Sequence, residues 1–467
     1  MRTPADLVAA FWARYRADAA VDTAVVRALA EQAIGDGPAA DAAVRALFLE
    51  IVEPLADSFE PAAAHTFVDA FAEVVDVVRH HPAASALDRG LTELGHTNGS
   101  LAARGHAWLE PRPPAPIGDP SLVVVLSQVN FGAEVAITST IVNGVLERLP
   151  RATVFHVAPT ALHGLFAGHP RVRFAPIDYQ RRGDLLTRLG AWPVAREAVR
   201  AATVGLAPDE WLLIDTDSRI TQTNLLPLAP DDRTRYFPKR TTEAPPLERL
   251  AELAGLWTEQ LCGLPGRPMP RLFLPEDAVA WAESVRAALE SHAARWAVVN
   301  LGVGGNPAKG LGHDFELALV RGLLDRGVGV LLARGISEAE YAGPDRLAAE
   351  LAAEGVEIAH LGDDVASLTA PGCRQLILWQ TSTERMAALV AAADLHVGYD
   401  SQGQHFAAAL GTPGLTVFVP TGGDRFVRRW SAFGPGPTRI LRVEPGSVDI
   451  VSVAEAALEA ADELLGP

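Results

Sequence analysis

Lysine occurs only twice in this chain of 467 residues, as Lys239 and Lys309, although Lys and Arg together number 40. Lys309 closes a glycine-rich stretch, VVNLGVGGNPAKGLG, that runs from Val298 to Gly312. Gly304 and Gly305 allow a backbone to approach a ligand closely, Asn306 adds a polar side chain, and the lysine supplies a compact positive charge. Such a loop suits a diphosphate. It is not a Walker A loop, which needs Gly-Lys-Ser/Thr where this chain has Ala308-Lys309-Gly310. Nor is it a dinucleotide fingerprint, because Pro307 takes the third glycine's place counted from Gly302. A surface turn has the same composition, and the rarity of lysine is what favours a binding role.

A second constellation is DLHVGYDSQGQHFAAALGTPGLTVFVPT, Asp394 to Thr421. Leu395 to Tyr399 reads as a strand, Asp400 and Ser401 as N-cap residues, and Gln404 to Leu410 as a short helix stopped by Gly411 and Pro413. A helix that opens beyond a parallel strand aims free N–H groups and the positive end of its dipole at whatever lies there, which favours pyrophosphate. His405, on the first turn, adds a hydrogen bond or a charge. The plainer alternative is an Asp/Ser cap above a packed histidine.

Carboxylates placed after strands offer general bases. Glu134 lies in VNFGAEVAIT after one apolar run, and Asp217, with Arg219, lies in LLIDTDSRITQTN after another. Glu134 has the competing role of a helix-opening acid. Asp215-Thr216-Asp217 spells a metal motif.

These residues need a scaffold. Residues 1–110 are Ala-rich with three- and four-residue apolar spacing, as in HTFVDAFAEVVDVVRHH, and read as a helical domain. The segment holds 16 acidic and 8 basic residues, so it offers no basic face. His80 and His81 at its edge read as solvent-facing or capping residues. PRPPAPIGDP, residues 111–120, is a Pro-rich stiff linker. Beyond it SLVVVLSQV, ATVFHVA and WLLID alternate with helical stretches, and a second series follows with WAVVNLGV, GVGVLLA, EIAHL, DLHVGY and LTVFVP. Continuous apolar strands alternating with helices imply two parallel, doubly wound sheets, with ligands beyond the carboxyl ends of the strands in a cleft between domains.

Taken together, the lysine loop and the Asp400 segment resemble the ADP-heptose:lipopolysaccharide heptosyltransferases, inverting glycosyltransferases of GT-B architecture. The family's later motif reads Asp-Ser/Thr-Gly-x-x-His-x-Ala-Ala-Ala; here Asp400-Ser401-Gln402-Gly403-Gln404-His405-Phe406-Ala407-Ala408-Ala409 carries the glycine one place late. Phe418, Thr421 and WSAFGPG (Trp430 to Gly436) also resemble the family. The resemblance covers about residues 120 to 440 and is absent from 1–110. It implies an α/β GT-B fold: two Rossmann-like domains facing a cleft, 121–280 on the acceptor side and 281–440 on the donor side, with 441–467 returning towards the N-terminal lobe. It implies that Lys309 and the Asp400, Ser401, Gln402, Gly403, His405 loop bind the donor diphosphate and sugar. Glu338 would hold the ribose and Thr381 would contact adenine. Aligning EVAIT with the family's Asp-Val-x-x-Thr puts Glu134 on the catalytic base, with Asp217 in reserve, and makes Asn130 and Arg219 acceptor-side candidates.

The expected activity is metal-independent transfer of a heptose or similar hexose from a nucleoside-diphosphate sugar, ADP-linked by the resemblance, with no cofactor. The acceptor is open among a protein, a natural product and a glycan, and the helical domain is a candidate for binding it or a partner protein. A nucleotide-sugar epimerase of the same architecture and a catalytically inactive nucleotide-sugar-binding protein are the competing readings. The net charge of −17 argues against nucleic acid as a partner. Two distant cysteines and the lack of a long apolar run or signal-peptide pattern lead to the expectation of a cytoplasmic protein without a transmembrane segment.

Overall fold

The computed structural model describes residues 2–18, 21–97, 99–179, 183–290, 293–303, 306–335, 338–362, 365, 368, 375–444, 446 and 449–466. The chain forms two compact units. One contains Met1–Asn130, Ile141–Thr160 and Arg171–Pro268, and the other Phe131–Thr140, Ala161–Pro170 and Met269–Pro467.

In the first unit, helices Pro4–Asp18, Thr23–Ile34, Pro38–Leu47, Glu53–Asp57, Pro61–Arg79, Ser85–Glu93 and Ser100–Leu109 precede a five-stranded sheet. Prolines at the first turns of Pro38–Leu47 and Pro61–Arg79 sit where a missing N–H costs nothing. Phe67, Phe71, Val74, Val75 and Val78 follow a helical period and are buried along one helix. The strands β1 (Leu122–Leu126), β2 (Thr153–Pro159), β3 (Val172–Ile177), β4 (Trp211–Asp215) and β5 (Thr234–Tyr236) are parallel, in the order β3-β2-β1-β4-β5. One apolar core runs from Phe11, Leu29 and Phe71 into Val124, Leu126 and Leu213. Val124 and Leu126 alternate along β1, so the helices cover one face of the sheet. Residues 111–120 have no regular secondary structure, as the Pro-rich composition requires, yet the segments on either side of them share this core.

The second unit holds β6 (Arg295–Asn300), β7 (Val328–Ala333), β8 (Glu357–Leu361), β9 (Gln375–Trp379), β10 (Leu395–Tyr399), β11 (Gly414–Phe418) and β12 (Thr438–Arg442). All are parallel, in the order β12-β11-β10-β6-β7-β9-β8. From β6 the chain moves out to β7, and after β9 it returns to β10 on the other side of β6. The topological switch therefore lies between β6 and β10, where doubly wound sheets bind ligands. Helix Ile450–Leu465 buries Ala454, Ala457, Leu458 and Ala461 in this unit's core. Among the described residues no helix is long and apolar enough to cross a membrane.

Candidate functional site

The site grows from the two strands at the switch. β6 and β10 are neighbours, with Asn300 in register with Gly398, so the loops that leave their carboxyl ends meet. In the first loop Asn300 Oδ1 accepts from Gly302 N at 3.0 Å, and Asn306 Oδ1 accepts from Ala308 N at 3.2 Å, capping the single turn Pro307–Lys309. Tyr399, last in β10, pins the far end: its hydroxyl accepts from Leu311 N at 3.0 Å and faces Glu316 Oε1 at 3.3 Å. Burial pushes the Glu316 carboxyl up and keeps the Tyr399 phenol protonated. Gly304 and Gly305 lie outside the described residues.

Held this way, Lys309 Nζ reaches Asp400 Oδ2 at 2.5 Å and stands 5.7 Å from the centre of the Phe426 ring. The other carboxylate oxygen of Asp400 accepts from Gln404 Nε2 at 2.7 Å. The Asp400 side chain is 8% exposed. The ammonium is thus fixed by one acid and an aromatic face, with donors to spare.

Helix Gln402–Leu410 starts immediately after Ser401, its N-cap, and ends on Gly411 in the left-handed region, φ 86°. It begins two residues earlier than the local propensities imply. Ser401 makes no side-chain capping bond, and its buried Oγ has no hydrogen-bond partner among the described residues. Gln402 Nε2 reaches Met386 Sδ at 3.3 Å. His405 is buried 6.3 Å, ring to ring, from Trp430. Burial brings its pKa down to about 4, with Lys309 pushing the same way and Asp400 opposing, so the ring is neutral at pH 7. The glycines of WSAFGPG are packing requirements: a Cβ on Gly436 would stand 2.7 Å from Thr412 O, and Gly434 lies against the Ala408 carbonyl.

Thr381 follows β9 at its carboxyl end. Its buried Oγ1 also lacks a partner among the described residues. Glu338 begins helix Glu338–Ala353, after β7, but its side chain is outside the described residues.

Glu134 is fully buried and opens a π turn, Glu134–Thr138, between Phe131–Ala133 and Ser139–Arg148. Residues 131–140 follow β1 in the chain but belong to the second compact unit, where they pack on helix Gln402–Leu410. The base candidate and the candidate donor helix are thus neighbours within one unit, a placement that chain order does not announce.

Asp217 and Arg219 belong to the first unit. Asp217 is fully buried beyond β4 with φ 64°, and Arg240 donates to its carboxylate. Lys239, the second lysine, donates to Gln128 Oε1 at 2.5 Å and to the Asp217 carbonyl at 3.0 Å. Burial, helped by Arg240 and Arg219 and opposed by Asp217, brings this amine down to about 7. Arg219 pairs with Glu53 at 3.4 Å, and Asn130 is exposed. Asp215 accepts from Ser218 N at 2.8 Å and Thr221 Oγ1 at 2.6 Å, while burial raises it to about 6. The Asp215-Thr216-Asp217 carboxylates are therefore engaged within the protein. Sequence reasoning did not bring Gln128, Lys239 and Arg240 together around Asp217, although the scarcity of lysine that singled out Lys309 applies equally to Lys239.

Residues 318–432 match the model of glycosyltransferase family 9 (heptosyltransferase). The fold matches the glycosyl transferase family 9 protein from Veillonella parvula DSM 2008, with a TM-score of 0.53 and 13% identity, over 74% of this chain and 97% of that one. It also matches E. coli heptosyltransferase WaaC with ADP, with a TM-score of 0.51 and 19% identity, over 73% of this chain and 99% of that one. No curated protein sequence matches significantly. At these identities the structural matches establish architecture, while the family match covers the segment with the β10 loop and the helix after it. The chain accordingly has GT-B architecture, and its residues 318–432 match the heptosyltransferase family model.

Proposed function

We propose that the enzyme transfers a heptose or closely related hexose from an ADP-linked donor to an acceptor hydroxyl, with inversion and without a divalent metal. The observation that carries this reading is the Lys309–Asp400 pair at the β6/β10 switch, beside the start of helix Gln402–Leu410. In transfer, the acceptor oxygen attacks the anomeric carbon, the bond from that carbon to the diphosphate breaks, and the acceptor proton passes to Glu134. Negative charge grows on the departing diphosphate, where the Lys309 ammonium and the first-turn amides of the helix offset it, the role a metal has in other transferases. Ser401 Oγ and Thr381 Oγ1, buried without partners among the described residues, are polar atoms for a ligand to satisfy. Neutral His405 provides one further donor and one acceptor. Glu338 for the ribose, Thr381 for adenine, and Asn130 and Arg219 for the acceptor follow from the family resemblance. The WaaC structure of this fold was solved with ADP, which is consistent with an adenine donor.

We place the reaction in the cytoplasm, a reading supported by the two-cysteine composition. The test is a thermal-shift panel of ADP-, UDP- and GDP-sugars, followed by NMR of the anomeric centre in any transfer product. ADP-sugars should give the largest shift and the product the inverted configuration. A UDP or GDP preference, or retention, would refute the proposal.

A further inference from the structure

Helices Pro61–Arg79 and Ser100–Leu109 pack together in the N-terminal segment. At their contact a Cβ on Gly105 would stand 2.6 Å from Val68 Cγ1, so glycine is what lets the two backbones approach. That approach brings the next residue on each helix together: His106 Nε2 lies 2.7 Å from Asp69 Oδ1. One turn before Asp69, His65 presents its Nδ1 to His106 Nδ1 at 2.7 Å. The two rings are nearly parallel, 19° apart in plane with centroids 5.0 Å apart.

The proton arrangement follows from these contacts. Asp69 takes the Nε2–H of His106, which leaves Nδ1 of that ring as a lone pair. The facing Nδ1 of His65 then carries the proton that lies between the rings. Two imidazole nitrogens converging on one proton, with a carboxylate behind one ring, match the carboxylate–histidine arrangement that orients metal ligands. His106 is 32% and Asp69 41% exposed, so solvent ions have access.

We propose that His65 and His106, with Asp69 as the positioning carboxylate, bind a divalent transition-metal ion of the zinc or nickel class between the two helices. The ion takes the place of the shared proton, and His65, which stays neutral, carries its one ring proton on Nε2 instead of Nδ1, so that both Nδ1 lone pairs face the ion. Tetrahedral ligation with bonds of about 2.0–2.1 Å needs the two Nδ1 atoms about 3.3 Å apart, a small opening of the present contact. Among the described residues no group of three or more candidate ligands converges, so water completes the coordination. Two nitrogen ligands favour transition metals over magnesium or calcium, which take oxygen. The site shares no residue with the donor loops, and its role is to cross-link the helical segment.

The experiment uses the full chain without a polyhistidine tag, stripped of metal and titrated with Zn2+ by calorimetry and with Co2+ by visible absorption. One saturable site is expected, weakened at least tenfold by His65→Ala or His106→Ala, and by about tenfold in Asp69→Asn. His80→Ala/His81→Ala should bind as the parent does. Circular dichroism confirms that each variant is folded; should His65→Ala or His106→Ala unfold, His65→Gln and His106→Gln replace them. No saturable binding by the parent, or equal binding by the folded His65 and His106 variants, would overturn the proposal.

Discussion

The imidazole of His396, on β10, fills the space that any side chain on Gly403 would need. His396 is fully buried, and neither of its ring nitrogens has a partner among the described residues. The late glycine of the Asp400 segment is therefore set by what lies beneath the helix start. Gly403→Ala should lower stability by about 1–3 kcal/mol through overpacking. Combined with His396→Ala it should cost less than the two single changes added together, with a coupling of about 1 kcal/mol or more. Denaturant unfolding of the four proteins measures this, and strict additivity would show that the two side chains do not compete for space.

Acid should weaken the fold through two histidines. Burial brings both His396 and His405 down to about 4. Each stays neutral in the native state while an unfolded histidine, near 6.5, takes up a proton. The unfolded state thus binds more protons between these values, so stability is lost as pH falls from about 6.5 towards 4. At pH 5 the loss should be about 2 kcal/mol for each histidine. Melting curves of His405→Gln should be less sensitive to pH over this range than those of the parent, and equal sensitivity would count against a buried neutral ring.

Arg240 is 9% exposed and Asp217 fully buried in their ion pair. Arg240→Met leaves an uncompensated buried carboxylate and should cost about 3 kcal/mol or more. Adding Asp217→Asn should recover much of that loss. If the double variant is no more stable than Arg240→Met, the carboxylate is compensated by other groups.

Glu134→Gln keeps shape but removes the proposed proton acceptor. The expected outcome is unchanged ADP affinity with transfer reduced at least a hundredfold, from loss of general-base catalysis. Transfer at parental rate would move the base elsewhere and return Glu134 to a helix-opening role.

How far the sequence foretold this structure depends on what each residue answers to. β6 and β10 were legible because Trp296–Val299 and Leu395–Tyr399 are nearly continuous apolar runs, as strands buried on both faces must be. Their adjacency was not, since strand order is decided by tertiary packing. The edge strands Val172–Ile177 and Thr438–Arg442 carry Arg173, Arg439 and Arg442 and lack that texture. Gln375–Trp379 shows it clearly, with all five residues buried, and the signal was there to be read. The helix after Asp400 begins at Gln402 because packing on His396 overrides the poor helix propensity of Gly403. Glu134 joins the second unit through contacts that no local pattern encodes.

The central claim is that Lys309 neutralises a donor diphosphate beside Asp400 and the opening of helix Gln402–Leu410. The direct measurement is ADP affinity of the parent and of Lys309→Ala by calorimetry, with thermal shift in parallel. A ligand at 100 times its dissociation constant stabilises by about 2.7 kcal/mol, and Lys309→Ala, at the same ADP concentration, should lose most of that gain while remaining folded. An undiminished affinity for ADP in folded Lys309→Ala would contradict the account.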